Sequence, residues 1–213
     1  MHPRLRLVLF GASFASLALV GLAAVLIGGE QEAGSKVEGP AAVTGSPFQG
    51  ALMPAGVRAP DFRLGDERGK PISMREYRGR PVVVTFLYST CEDTCPLEAQ
   101  QIKGALDLLA DDGIEIPAVA ISVDPTQDTP GSARRFLFEQ RIPGRMRWVL
   151  GSRAELEPVW RGFFIQEQSE ESDHQARVVL VDGRGRQRVG YPAQELTPEM
   201  IAQDVRVLVD EQE

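Results

Sequence analysis

The sequence predicts an α/β protein, a sheet with a parallel centre and an antiparallel edge covered by helices, preceded by one membrane-spanning helix. Three observations carry this. Val82–Tyr88 and Ile116–Val123 are continuous apolar runs rich in β-branched residues, and strands covered on both faces lose the polar alternation of a half-exposed sheet. Apolar residues at helical spacing follow each run, so strand and helix alternate. Upstream of both, Leu7–Gly29 is a stretch of 23 residues without a charge. The 213-residue chain is 43% hydrophobic and 25% charged, a globular composition. Two cysteines cannot staple a fold, so a packed core must hold it.

As a helix, Leu7–Gly29 is roughly 34 Å long, enough for a hydrocarbon core of about 30 Å. Arg4 and Arg6 precede it and Glu30 and Glu32 follow. The positive-inside rule therefore leaves residues 1–6 in the cytoplasm and everything after Gly29 outside. The competing reading is a cleaved signal peptide, whose apolar region is only about 7–15 residues and ends in a small-x-small site. Both readings export the rest of the chain. A buried helix of a soluble protein would break its apolar stripe with polar positions. The segment lacks the Arg- and Ser-rich amphipathic look of an organelle transit peptide, which favours a bacterial cell membrane over a mitochondrial inner membrane. Residues 30–56, rich in Gly, Pro, Ala, Ser and Glu without sustained periodicity, read as a flexible tether. The folded domain is expected over 57–213, as a soluble monomer once the anchor is removed.

Within that domain, Val82–Tyr88 is the central strand. A helix follows from Leu97 to Leu109, with Ile102, Leu106 and Leu109 on one face, and Asp111-Asp112-Gly113 ends it. Ile116–Val123 is the second strand, closed by Asp124-Pro125. Thr129-Pro130 opens a helix to about Gln140, proline being tolerated in a first turn. Arg153–Gly162 is a third helix. Val178–Val181 and Gln187–Tyr191 flank Asp182-Gly183-Arg184-Gly185, a hairpin signal. Thr197-Pro198-Glu199 opens a last helix to about Val209. This order fits a thioredoxin-like fold with an N-terminal β extension before Tyr77 and an inserted helix.

Cys91 and Cys95, the only cysteines, lie between the central strand and its helix, and ligands of open α/β sheets bind outside the carboxyl ends of strands. If both sit near one helical turn, sulfurs at i and i+4 share a side, about 5.5–6 Å apart at Cα, a span a disulfide can also bridge. A helix N-terminus favours thiolate over thiol; Glu92 and Asp93 oppose it unless the bound species is a cation. A structural disulfide or two inert thiols is the bland alternative, although a bridge over so short a loop stabilises little. His174 is the only histidine after His2. On its own it reads as a surface loop residue; in a thioredoxin-like fold, the segment Ser172-Asp173-His174-Gln175-Ala176 stands where a proline normally faces the cysteines. Two thiolates and one imidazole form a soft, low-coordination set suited to Cu(I) and, with added oxygen or water, Cu(II). A structural zinc site would require a fourth protein ligand.

Three segments, Thr90-Cys91-Glu92-Asp93-Thr94-Cys95-Pro96, Ser122-Val123-Asp124-Pro125-Thr126-Gln127-Asp128-Thr129-Pro130, and Asp173-His174 before Val178–Asp182, stand in one order at domain-wide spacing. In these the chain resembles the SCO/SenC family of thioredoxin-like, copper-binding cytochrome oxidase assembly proteins, over about 57–213 plus the anchor. The resemblance implies that Cys91, Cys95 and His174 bind one copper ion. It implies as partner subunit II of cytochrome c oxidase, whose dinuclear copper site would receive copper or have its cysteines reduced; no copper donor is identified. It also implies that Asp124 lies near the metal and influences it, whereas from the residues alone Asp124-Pro125 reads equally well as a strand-ending turn. The chain departs from the family pattern at Leu87-Tyr88, where Gly-Tyr is common, and at Gln175, where a hydroxyl residue often follows the histidine.

Two function classes remain: a copper metallochaperone, and a thiol–disulfide reductase in which Cys91 attacks and Cys95 resolves. A peroxidase signature would need threonine where Tyr88 stands. Beyond residue 29 the chain carries 21 basic and 30 acidic groups, which excludes nucleic acid as a partner, since phosphate binding needs a surplus of Lys and Arg.

Overall fold

The computed structural model describes residues 45–165 and 177–212. The apolar run at 7–29, most of the tether and His174 lie outside the described residues. Within them no helix is long and apolar enough to cross a membrane.

The strands are β1 (Ala51–Leu52), β2 (Arg63–Asp66), β3 (Pro71–Ser73), β4 (Val82–Leu87), β5 (Ala118–Ser122), β6 (Met146–Leu150), β7 (Arg177–Val181) and β8 (Gln187–Pro192). They form one sheet in the order β1-β8-β7-β4-β5-β6-β2-β3. β4 pairs in parallel with β5, Val83 facing Ala118 and Leu87 facing Ser122, and β5 in parallel with β6. All other pairs are antiparallel, so the expected parallel centre and antiparallel edge are present, and a second antiparallel edge, β2 and β3, lies beyond β6. The helices are α1 (Thr94–Asp111), α2 (Pro130–Glu139), α3 (Arg153–Gly162) and α4 (Pro198–Asp210), with short 3-10 turns at Met74–Tyr77 and Ala193–Glu195.

Each face of the sheet carries its own apolar core. Alternation along β4 sends Val83 and Leu87 to one side, against Ile102, Leu106 and Leu109 of α1, Phe136 of α2 and Ile201 and Val205 of α4. Val82, Val84 and Phe86 go to the other, against Leu156, Val159 and Trp160 of α3 and Phe163 beyond it. Edge-on aromatic pairs lock both sides: Phe136 against Trp148 at 5.2 Å, and Phe86 against Phe163 at 5.3 Å, within the range such pairs prefer. Thr129 caps α2 by accepting from Ser132 N at 3.1 Å, and Thr197 caps α4 through Met200 N at 3.3 Å, as hydroxyl side chains do at orphan N–H groups.

Two features differ from the sequence expectation. The folded sheet begins before Val57. β1 pairs with β8, and Gln49 N and Gly50 N donate to the buried Asp204 carboxylate at 2.7 and 2.9 Å. The second is β6, which the hydrophobic pattern leaves unassigned. It is short, and Arg147 interrupts its apolar run; that side chain leaves the sheet to pair with Asp66 at 3.0 Å and Glu76 at 2.8 Å.

Candidate functional site

β4 ends at Leu87, and its neighbour β5 ends at Ser122. The chain leaving β4 forms the loop 88–93 and then α1. Cys91 sits in this loop and Cys95 in the first turn of the helix. The expected helical i, i+4 pairing of the sulfurs therefore does not apply, because Cys91 precedes the helix. What joins the two residues is a cap. Asp93 occupies the N-cap position but its side chain makes no capping bond; instead Cys95 N donates to Cys91 Sγ at 3.3 Å. A helix N-terminus leaves such N–H groups without internal partners, and here the sulfur takes one.

Both cysteines are free thiols, Cys91 half-buried and Cys95 fully buried. The Cys95 thiol donates to the Cys91 sulfur and, with the N–H of Cys95, the Tyr88 side chain and the N–H of Asp93, pulls the Cys91 pKa down to about 5 against the opposing effect of burial. Cys95 moves the other way: holding the shared proton, together with burial, keeps it a thiol far above its ordinary range. At neutral pH the pair is thus one thiolate and one thiol sharing a proton. Donors aimed at the anionic form and desolvation of the neutral one produce this split. A soft monovalent cation between the sulfurs would replace that proton and satisfy both, and thiolates are the ligands such ions select.

Two acids near this pair were not singled out from the sequence. Glu98, one turn beyond Cys95, is buried. Thr85 Oγ1 donates to its Oε1, while Oε2 has no partner among the described residues. Burial, and to a lesser degree the negative Cys91, raise its pKa to about 7 against the Thr85 hydrogen bond. Helical spacing from Cys95 was the available signal, since i and i+3 share a face. Asp128 is the other. It is 8% exposed, accepts from Ser89 N at 2.7 Å and from Ser122 Oγ at 2.5 Å, and is raised by burial against those donors. It lies within a segment that carries the family resemblance, but there its local pattern reads only as the residue before a helix cap.

Asp124 lies at the end of β5, half-exposed, and its Oδ1 accepts from Thr126 N, Thr126 Oγ1 and Gln127 N at 3.2, 2.5 and 3.2 Å. These bonds close its own turn. Among the described residues no three His, Cys, Asp or Glu side chains stand together to hold a metal, so the described donor set is the two sulfurs. Their softness fits copper; a third ligand would come from outside the described residues, where His174 lies.

The SCO1/SenC family model matches residues 53–210. Over 156 residues the chain is 28% identical to protein SenC of Rhodobacter capsulatus, covering 70% of this chain and 69% of that one. Among solved structures, ScoI of Bradyrhizobium japonicum with copper bound matches at TM-score 0.61 and 26% identity, over 71% of this chain and 99% of that one. An SCO1/SenC family lipoprotein of Bacillus anthracis matches at TM-score 0.67 and 20% identity, over 75% and 99%, a likeness of fold.

Proposed function

The chain belongs to the SCO1/SenC family, and on that premise we propose that it is a copper carrier that serves the assembly of cytochrome c oxidase. Cys91 and Cys95 hold the ion as thiolates, His174 adds the imidazole, and subunit II, at its dinuclear copper site, is the recipient. Leu7–Gly29 anchors the protein in the cell membrane, with the folded domain on the extracytoplasmic side. The observation that carries the reading is the Cys91–Cys95 pair itself: two free sulfurs at a helix N-terminus, joined where Cys95 N donates to Cys91 Sγ at 3.3 Å, with the Cys91 pKa drawn down to about 5. The copper in the Bradyrhizobium relative supports the choice of ion.

The same asymmetry supports a second reading. A thiolate at Cys91 attacks a target disulfide, one target sulfur leaves as thiolate, and Cys95 then displaces the second. The target gains two electrons and the Cys95 proton, its second sulfur taking a proton from solvent, while Cys91 and Cys95 become a disulfide. Both readings use the sulfurs; only copper handling needs the imidazole.

His174→Ala separates them. Two thiolates alone satisfy Cu(I), whereas Cu(II) prefers nitrogen- and oxygen-containing tetragonal sites. The expected result is a collapse of Cu(II) affinity, a modest fall in Cu(I) affinity and failure of oxidase copper loading in cells. Unchanged Cu(II) binding with normal oxidase assembly would move the assignment to the reductase. Cys91→Ser or Cys95→Ser is expected to abolish tight Cu(I) binding, because a hydroxyl is a hard, high-pKa ligand.

A further inference from the structure

We propose that Asp128 is the positioning residue of the dithiol: it sets where Cys91 stands relative to Cys95 by fixing the loop that carries it. The inference rests on reading the pair as reactive, whether as carrier or reductant. Ser89 lies two residues before Cys91. Its N–H donates to Asp128 Oδ1 at 2.7 Å and its hydroxyl bonds to Ser132 Oγ at 2.9 Å. Asp128 is itself held from three directions. Ser122 Oγ, at the end of β5, donates to Oδ2 at 2.5 Å; Asp128 N donates to Asp124 O at 2.9 Å; and Thr129, the next residue, caps α2 together with Ser132. One buried carboxylate thus ties the end of β5, the start of α2 and the cysteine loop into a single unit.

Besides Asp128, the loop is anchored by the Tyr88 side chain, which packs against both cores. Cys91 N donates to Tyr88 O at 3.3 Å, a bond inside the loop that cannot place it against the rest of the protein. The Cys95 N–H to Cys91 Sγ bond is the relation to be maintained, so it cannot also be its support. A buried carboxylate with no cation beside it among the described residues is costly unless donors satisfy it, and here both oxygens have one.

Asparagine reproduces this geometry, since its oxygen accepts from Ser89 N while its NH2 donates to Ser122 Oγ; alanine removes both bonds. The test uses the full chain in mild detergent, with two readouts. One is the equilibrium of the Cys91–Cys95 disulfide with a glutathione buffer, which reports how closely the sulfurs are held and needs no copper. The other is Cu(I) affinity by competition with a chromophoric chelator. Asp128→Ala is expected to lower both by about tenfold, as loss of preorganisation lowers effective concentration. Asp128→Asn is expected to stay within about twofold of the wild type. If Asp128→Ala fails to fold, Ser122→Ala, near-isosteric and missing one donor, carries the test with an expected loss of about threefold.

Wild-type values in Asp128→Ala, or in Ser122→Ala where it stands in, would overturn the proposal. So would Asp128→Asn as impaired as the alanine variant, because charge rather than geometry would then be acting. A wild type that binds no Cu(I), alongside a glutathione equilibrium that shifts as expected in Asp128→Ala, would remove the copper reading and leave the positioning role in place.

Discussion

Glu98 gives the domain a pH dependence that can be isolated. Its pKa is about 7 when folded, mainly through burial, against an ordinary carboxyl value near 4.3 in an unfolded chain. A folded pKa above the unfolded one means that the protonated acid is the form that suits the fold. Its stabilising contribution is therefore complete below about pH 4.3 and is lost as pH rises through 7. A gap of this size corresponds to about 4 kcal/mol at alkaline pH. Glu98→Gln, which keeps the acceptor for Thr85 but cannot ionise, is expected to match the wild type near pH 4 and exceed it in stability at pH 8. Denaturant midpoints at both pH values check this; parallel profiles would mean that Glu98 does not titrate in that window. At this scale the sequence was legible in part. The cysteine spacing and the strand before it are plain in the order of residues. The shared proton and the roles of Glu98 and Asp128 are not, because they follow from which side chains meet when β4, β5 and α1 are brought side by side.

Among the elements, β1 is the one whose importance its sequence conceals. Residues 46–53 carry Gly, Pro and Ala and lack strand periodicity, so they read as tether. Their order comes from two backbone N–H groups bound to Asp204 and from Phe48, whose ring lies 5.4 Å from the Arg188 guanidinium, within reach of a cation–π contact. Tyr191 donates to the same carboxylate at 2.5 Å. Hydrogen bonds to a charged acceptor contribute roughly 1.5–3 kcal/mol each. A chain starting at Val57 is therefore expected to unfold at a clearly lower denaturant concentration than one starting at Gly45. Equal midpoints would mean that the 45–56 segment adds nothing. The helices were easier to read, since Thr129-Pro130 and Thr197-Pro198 carry their caps in the sequence. The start of α1 was not, because its cap is a sulfur that lies outside the helix.

For the molecule as a whole, the two cores share β4, β5 and β7, whose alternate residues serve opposite faces. Loss of either core should therefore take the other with it. Trp148 reports one face and Trp160 the other, so fluorescence of Trp148→Phe and Trp160→Phe variants is expected to show coincident thermal transitions. Phe86→Ala, expected to cost about 3–5 kcal/mol, should lower both together; separated midpoints would mean that the faces melt independently. The α/β class and the parallel centre follow from the apolar runs at β4 and β5, while the position of β6 beside β2 depends on a long-range pairing that no local pattern encodes. The outermost strands have a further effect. β1 is two residues long and β3 three, with Pro71 at its start, and short or proline-bearing margins are how sheets avoid recruiting a neighbour's backbone. Stripped of residues 45–56, the outer side of β8 would lie bare over Arg188–Gly190, a short template for a second molecule. The segment that looks like slack leader thus closes one margin of the sheet with a strand only two residues long.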